Sequence, residues 1–197
     1  MYLIIGASGF LGRYCIKNVL ENTNENIIAT YSQSRPIYRH SRVEWVPLNV
    51  CDINALKELS TRISNTTKII YLAAFHHPDK VEEFPELAWN INIVALANAV
   101  NIFHNAKCLY YSSTDTVYGE GSREKKFLET DSLYPVNLYG KHKVLAEQIC
   151  LTKGFNLVRV RFIFGTSLVE GRPHFFDNIK SDLEHRKIVE MFSDSYR

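Results

Sequence analysis

The chain has 197 residues, 46% hydrophobic and 12% aromatic, enough for one well-buried core and too few for two domains of ordinary size. Twenty-three Lys and Arg against 21 Asp and Glu leave a formal charge of +2, which argues against a basic nucleic-acid surface or an acidic tail. No apolar run reaches the roughly 20 residues of a membrane-spanning helix, and the amino end enters a strand pattern at once. Cys15, Cys51, Cys108 and Cys150 lie far apart with no metal-ligand spacing, so we expect a cytoplasmic protein with no metal, membrane or nucleic-acid partner.

In chain order, residues 2–5 read as a short buried strand running into a glycine turn, and 10–21 has helical spacing. Further strands are expected at 27–31, 43–48, 69–74, 109–112 and 157–161. Helices are expected at 52–64, opened by a capping Asp52, at 85–105, with Pro85 in its first turn, and at 135–153. Strands alternating with helices predict a doubly wound parallel sheet, an α/β fold covered on both faces. Two stretches, 114–134 and 165–197, show no clear period and follow strand ends, where open α/β folds place their ligands.

Gly6-Ala7-Ser8-Gly9-Phe10-Leu11-Gly12 sets three glycines at i, i+3 and i+6 between the first strand and the first helix. A residue without Cβ lets the backbone turn sharply and approach a pyrophosphate, while the helix that follows offers free N–H groups to the anion. This strand–turn–helix context points to a dinucleotide held by Gly6, Ser8, Gly9, Phe10, Leu11 and Gly12. The second strand ends without the acidic residue that would bind a ribose 2′-hydroxyl. Ser32 and Arg35 stand there instead, with Arg39 and Arg42 following, which favours NADP(H) over NAD(H).

Tyr139 and Lys143 are four residues apart near the start of a predicted helix and so share a face. A lysine beside a phenol favours the phenolate, which would fit Tyr139 for proton transfer near neutral pH. Thr114 closes a Ser112-Ser113-Thr114 run at a predicted strand end, 25 residues before Tyr139, where a threonine also serves as a plain turn residue.

Glycine turn, strand-end Ser-Thr and Tyr-x-x-x-Lys, in this order, resemble the extended short-chain dehydrogenase/reductase family, also called the NAD-dependent epimerase/dehydratase family. Leu72-Ala73-Ala74-Phe75 is similar to that family's segment beside the cofactor, and Asn49-Val50-Cys51-Asp52 to its adenine-contacting segment, with Asn49 where an aspartate is usual. Asn92 to Asn98 resembles its Asn-x-x-Gly-Thr-x-Asn helix, although Ala95 and Leu96 replace Gly-Thr. Within the family the likeness is greatest to the dTDP-4-dehydrorhamnose reductases, on Ser113-Thr114-Asp115, Asp79-Lys80-Val81-Glu82, Val158-Arg159 and Phe164-Gly165.

The resemblance implies a Rossmann domain over residues 1–165 and the start of a smaller substrate lobe, cut short, over 166–197. It implies reduction of the keto group of a nucleotide-linked 4-keto-6-deoxy sugar, by a homodimer. Thr114 would bind the substrate carbonyl, Tyr139 would donate the proton, and Lys143 would hold the nicotinamide ribose and tune Tyr139. Asn49, Val50, Ala73 and Ala74 would contact the cofactor. An epimerase or dehydratase with the same residues, and a non-catalytic NADP-binding subunit, are the competing readings. Asn92 reads equally as a helix-packing amide or a ligand, and His76-His77 as loop surface.

Overall fold

The computed structural model describes residues 1–33, 36, 38–122, 126–169 and 171–189. Among the described residues six strands form one wholly parallel sheet: β1 (Tyr2–Ile5), β2 (Ile27–Tyr31), β3 (Val43–Pro47), β4 (Lys68–Tyr71), β5 (Cys108–Thr114) and β6 (Asn156–Val160). The strand order is β3-β2-β1-β4-β5-β6, so the chain reverses its direction of growth between β1 and β4. That reversal opens a crevice at the carboxyl ends of the strands.

Alternation along the strands divides the core between the two faces. Leu3, Ile5, Ile69, Tyr71, Leu109 and Tyr111 point to one face and meet Leu56, Leu96, Val100, Ala146 and Cys150. The helices that bring these partners are α2 (Ile53–Ser60), α5 (Ala95–Ile102) and α6 (Leu138–Leu151). Ile4, Ile27 and Ala29 point the other way, onto Ile16 and Val19 of α1 (Phe10–Asn22). Tyr110 and Val158 are exposed.

Asp52 caps α2 as the sequence predicts, its carboxylate accepting from the N–H groups of Asn54 and Ala55. The single helix expected at 85–105 is instead α4 (Pro85–Trp89), a π-helical turn (Asn90–Val94) and α5, preceded by a short α3 (Pro78–Glu83) that has no clear signal in the sequence. The wider turn coincides with Asn92, whose side chain accepts from the Phe75 N–H at 2.8 Å and donates to the Phe75 carbonyl at 3.0 Å. A helix, α7 (Phe175–Glu184), also stands where no period was legible. Ring contacts of Phe175 with Phe162 and of Phe176 with Phe164 join it to the segment after β6.

After β5 the chain makes a 3₁₀ turn (Asp115–Tyr118) and a long connection that returns on itself before α6. Tyr134 donates its N–H to the Val117 carbonyl, and Gly119, at φ +84°, faces the Tyr134 carbonyl so closely that a Cβ would lie 2.2 Å from that oxygen. Gly154 has a similar φ of +68° but open space around it. Gly119→Ala should therefore destabilise the chain by clearly more than the about 1–2 kcal/mol expected from the left-handed backbone alone, the cost expected at Gly154→Ala. Urea unfolding of the two variants checks this difference.

Candidate functional site

Parallel strands place their carboxyl ends at one edge of the sheet, and most of the residues singled out by the sequence gather there. The turn after β1 is fitted to its neighbours by missing side chains. Gly6 has φ +85°, and a Cβ on it would meet the Ala73 nitrogen at 2.8 Å; one on Gly12 would lie 2.6 Å from the Ala7 Cα. Gly6 donates its N–H to Thr30 Oγ1 at 3.0 Å, tying the turn to the end of β2. Gly9 is the N-cap of α1, and no side chain caps it, so the first-turn N–H groups of a 13-residue helix face the crevice edge uncapped. A close-packed backbone turn feeding an uncapped helix fits a pyrophosphate.

The cofactor-selecting positions are less uniform. Ser32 is exposed just beyond β2, and Arg35 lies outside the described residues. Arg42 donates to the Leu20 and Thr23 carbonyls at 2.7 and 2.5 Å, so its guanidinium is taken up by the carboxyl end of α1 instead of standing ready for a 2′-phosphate. Asn49 is exposed, and its side chain accepts from the Cys51 N–H in a local turn. Val50, Ala73 and Ala74 are half-buried, Ala73 against Gly6.

On α6, Tyr139, Lys143 and Glu147 stand one turn apart in a single column facing β5. Lys143 is 4% exposed; its Nζ donates to the Ser112 carbonyl at 2.7 Å and lies 4.6 Å from the Tyr111 ring centre and 5.7 Å from that of Tyr139. Thr114 caps the 3₁₀ turn: its Oγ1 accepts from Thr116 N and Oγ1 and donates to Asp115 Oδ1. The turn role expected for Thr114 is thus present beside any role toward a substrate. Asn137 caps α6 through the Gly140 N–H, and Glu82 accepts from the Leu138 N–H, so the turn carrying Tyr139 is fixed at its start.

Burial sets the protonation of this pair. It pushes Tyr139 up to about 12, with the Asp115 charge adding to the shift. It pulls Lys143 down to about 7, against the smaller opposing influence of Cys150 and Glu147. The expectation that Lys143 lowers the Tyr139 pKa is therefore corrected. In the chain alone, desolvation of the phenolate outweighs the attraction of a lysine that is itself only partly charged at neutral pH.

Glu147, fully buried, was not singled out by sequence reasoning. It accepts from Ser113 Oγ at 2.5 Å and takes a two-pronged contact from Arg159, Nε to Oε1 at 2.9 Å and Nη2 to Oε2 at 2.7 Å. Arg159 Nη1 also donates to Tyr118 Oη and to the Glu129 carbonyl. Its only sequence signal is the eight-residue spacing from Tyr139, which places it on the face of the phenol. A cleft of about 700 Å³ adjoins these groups, bordered by Asp115, Thr116, Tyr118, Phe127, Glu129 and Arg159. It does not include Tyr139, Lys143 or the glycine turn, so it is space beside the candidate chemistry, not its centre.

Residues 2–166 match the NAD dependent epimerase/dehydratase family. The chain belongs to this family. Methionine adenosyltransferase 2 subunit beta from Xenopus laevis is 34% identical over 166 residues, 83% of this chain and 47% of that protein. dTDP-4-dehydrorhamnose reductase from Mycolicibacterium smegmatis is 28% identical over 150 residues, 76% of this chain and 41% of that protein. A crystal structure of a hypothetical dTDP-4-dehydrorhamnose reductase from Sulfolobus tokodaii superposes with a TM-score of 0.69 at 26% identity, covering 84% of this chain and 57% of that one. The chain spans about half the length of the curated relatives it matches. Among the described residues, no helix is long and apolar enough to cross a membrane.

The burial of Lys143 has a consequence for folding. Lys143 holds its proton less tightly in the folded chain, at about 7, than at the ordinary 10.5 of an unfolded one. Between those values unfolding takes up protons, so stability climbs as pH rises and falls again toward pH 7. Urea unfolding should show a gain of about 2 kcal/mol from pH 7 to 8.5. Lys143→Met should abolish most of that gain.

Proposed function

We propose that the chain binds NADP(H), with NAD(H) as the alternative, and serves the reduction of a keto group on a nucleotide-linked 4-keto-6-deoxy sugar. The observation that carries this reading is the column of half-buried Tyr139 and buried Lys143, the lysine seated on the Ser112 carbonyl at the same sheet edge as the uncapped glycine turn. Gly6, Ser8, Gly9, Phe10, Leu11 and Gly12 would hold the pyrophosphate, Ala73 and Ala74 would border the nicotinamide side, and Asn49 and Val50 the adenine. Ser32 and Arg35 would favour the 2′-phosphate. Turning the keto group into an alcohol takes a hydride on the carbon and a proton on the oxygen, and a bound reduced nicotinamide would supply the hydride.

The proton is the part that falls to the chain's own residues. A phenol held up to about 12 keeps its proton at neutral pH, so Tyr139 is charged with the proton a reduction must deliver to the developing alkoxide. Lys143, once protonated, would stabilise the phenolate left behind and meet the ribose hydroxyls. Thr114 would donate a hydrogen bond to the carbonyl after releasing Asp115. An epimerase or dehydratase would begin from the opposite state, a phenolate ready to take a proton, which burial disfavours here. The neighbouring cleft, with Arg159 and Arg161 on its border, is the space we assign to the nucleotide-linked part of the substrate.

A second reading has its own support: the 34% identical relative is named as a subunit of a methionine adenosyltransferase. On that reading the chain binds the dinucleotide and acts through another protein. We also assign the exposed apolar Leu87, Val94 and Leu145 to contact with a second copy, a dimer that sedimentation equilibrium would register.

Purified chain offered nucleotide-linked 4-keto-6-deoxy sugars should oxidise NADPH faster than NADH at 340 nm. Tyr139→Phe should lower that rate at least a hundredfold while the affinity for NADPH stays within about threefold. NADPH binding without oxidation of any sugar tested would favour the subunit reading. An absence of dinucleotide binding would overturn both.

A further inference from the structure

The column on α6 does not end at Lys143. Glu147 comes one turn later, is inaccessible to solvent, and is held by two independent partners on two strands, Ser113 of β5 and Arg159 of β6. Lys143 is fastened to Ser112, the residue before Ser113, through its backbone carbonyl. Adjacent turns of α6 are thus stapled to adjacent residues of β5, immediately before Thr114. We propose that Glu147 and Arg159 are positioning residues for the Tyr139–Lys143 pair, fixing the α6 turn that bears Lys143 against the end of β5 and keeping a negative charge beneath the lysine.

A structural ion pair alone would have little reason to lie along this column. Arg159 holds Glu147 with both prongs of its guanidinium. Here it also reaches Tyr118 Oη at 2.8 Å and the Glu129 carbonyl at 2.9 Å, so one guanidinium fixes the 3₁₀ turn after Thr114 and the connection leading to Tyr139. Two of the groups proposed to act on substrate and cofactor adjoin this centre directly: Thr114 follows Ser113 and opens the turn that ends at Tyr118, and Lys143 stands one helical turn before Glu147, with Tyr139 one turn further along the same face. Among the described residues, the titratable groups around Lys143 are Tyr111 from β5 and Tyr139, Glu147 and Cys150 from its own helix. Glu147 is the carboxylate among them, and its charge favours the protonated lysine.

This inference rests on the reading of Tyr139 and Lys143 given above, but its test does not need cofactor or substrate. With 13Cε-labelled lysine, the Lys143 resonance is identified by its loss in Lys143→Arg and titrated in the full chain. Glu147→Gln should move its midpoint toward acid by at least half a pH unit. Tyr118→Phe, which leaves the Glu147–Arg159 pair intact, should not move it. A folded Glu147→Gln chain with an unmoved midpoint overturns the proposal. Should that variant be recovered unfolded, Glu147→Asp decides by the same measurement, since withdrawing the carboxylate by one carbon should still give an acid shift, and no shift overturns the proposal. NADPH titration of the unaltered chain is run alongside. Its failure to bind would count against the cofactor reading, while the lysine midpoint would still decide the role of Glu147.

Discussion

A carboxylate shut away from water is tolerated only where a cation and hydrogen-bond donors meet it in good geometry, and Glu147 is such a group. Its partners come from places distant in sequence: Ser113 at the end of β5 and Arg159 in β6, with Arg159 extending to Tyr118 and the Glu129 carbonyl. Removing one member of a buried pair of this kind typically costs about 3–5 kcal/mol, because the other charge stays behind unpaired. The relative placement of β5, α6, β6, Tyr118 and Glu129 is therefore coupled to one ionic centre. The candidate proton donor and its lysine stand on the same helix face, so their placement inherits that coupling.

The other half of the crevice is set by the opposite device, the absence of side chains. Gly6 lets the turn after β1 come against Ala73 at the end of β4, and Gly12 lets α1 lie on Ala7. The hydrogen bond from Gly6 to Thr30 brings the end of β2 into the same arrangement. Close backbone approach on one side and a buried charge network on the other converge at the carboxyl edge of β1, β4 and β5, on either side of the point where the strand order reverses. Asn92 links them, since its amide holds the Phe75 backbone, just past Ala73 and Ala74, to the helix that packs against α6.

Much of this framework was legible in the sequence, because strands buried on both faces and amphipathic helices write their periods directly. β1 and β2 have the expected boundaries, and Asp52 caps the expected helix. What was not legible depends on partners brought from elsewhere. A glutamate in the middle of α6 has the appearance of a solvated position until Arg159 arrives from β6. The π-helical turn at Asn90–Val94 has no one-dimensional signature, and α7 sits in a stretch whose aromatic residues contact Phe162 and Phe164 instead of a deep core. The raised tyrosine pKa is hidden for a related reason: spacing reveals the lysine neighbour but not the burial that changes both groups.

Family membership and fold agree on a dinucleotide crevice, and the most direct trial of that claim is at the atoms that would form its floor. In a chain with 13C-labelled alanine methyls, Ala7 lies in the turn, Ala73 packs against it and Ala74 follows Ala73, while Ala106 lies beyond α5, at the opposite edge of the sheet. Titration with NADPH should give saturable shifts at the first three and none at Ala106. Shifts confined to other alanines, or none at millimolar NADPH, would contradict a dinucleotide site at the carboxyl edge of β1 and β4.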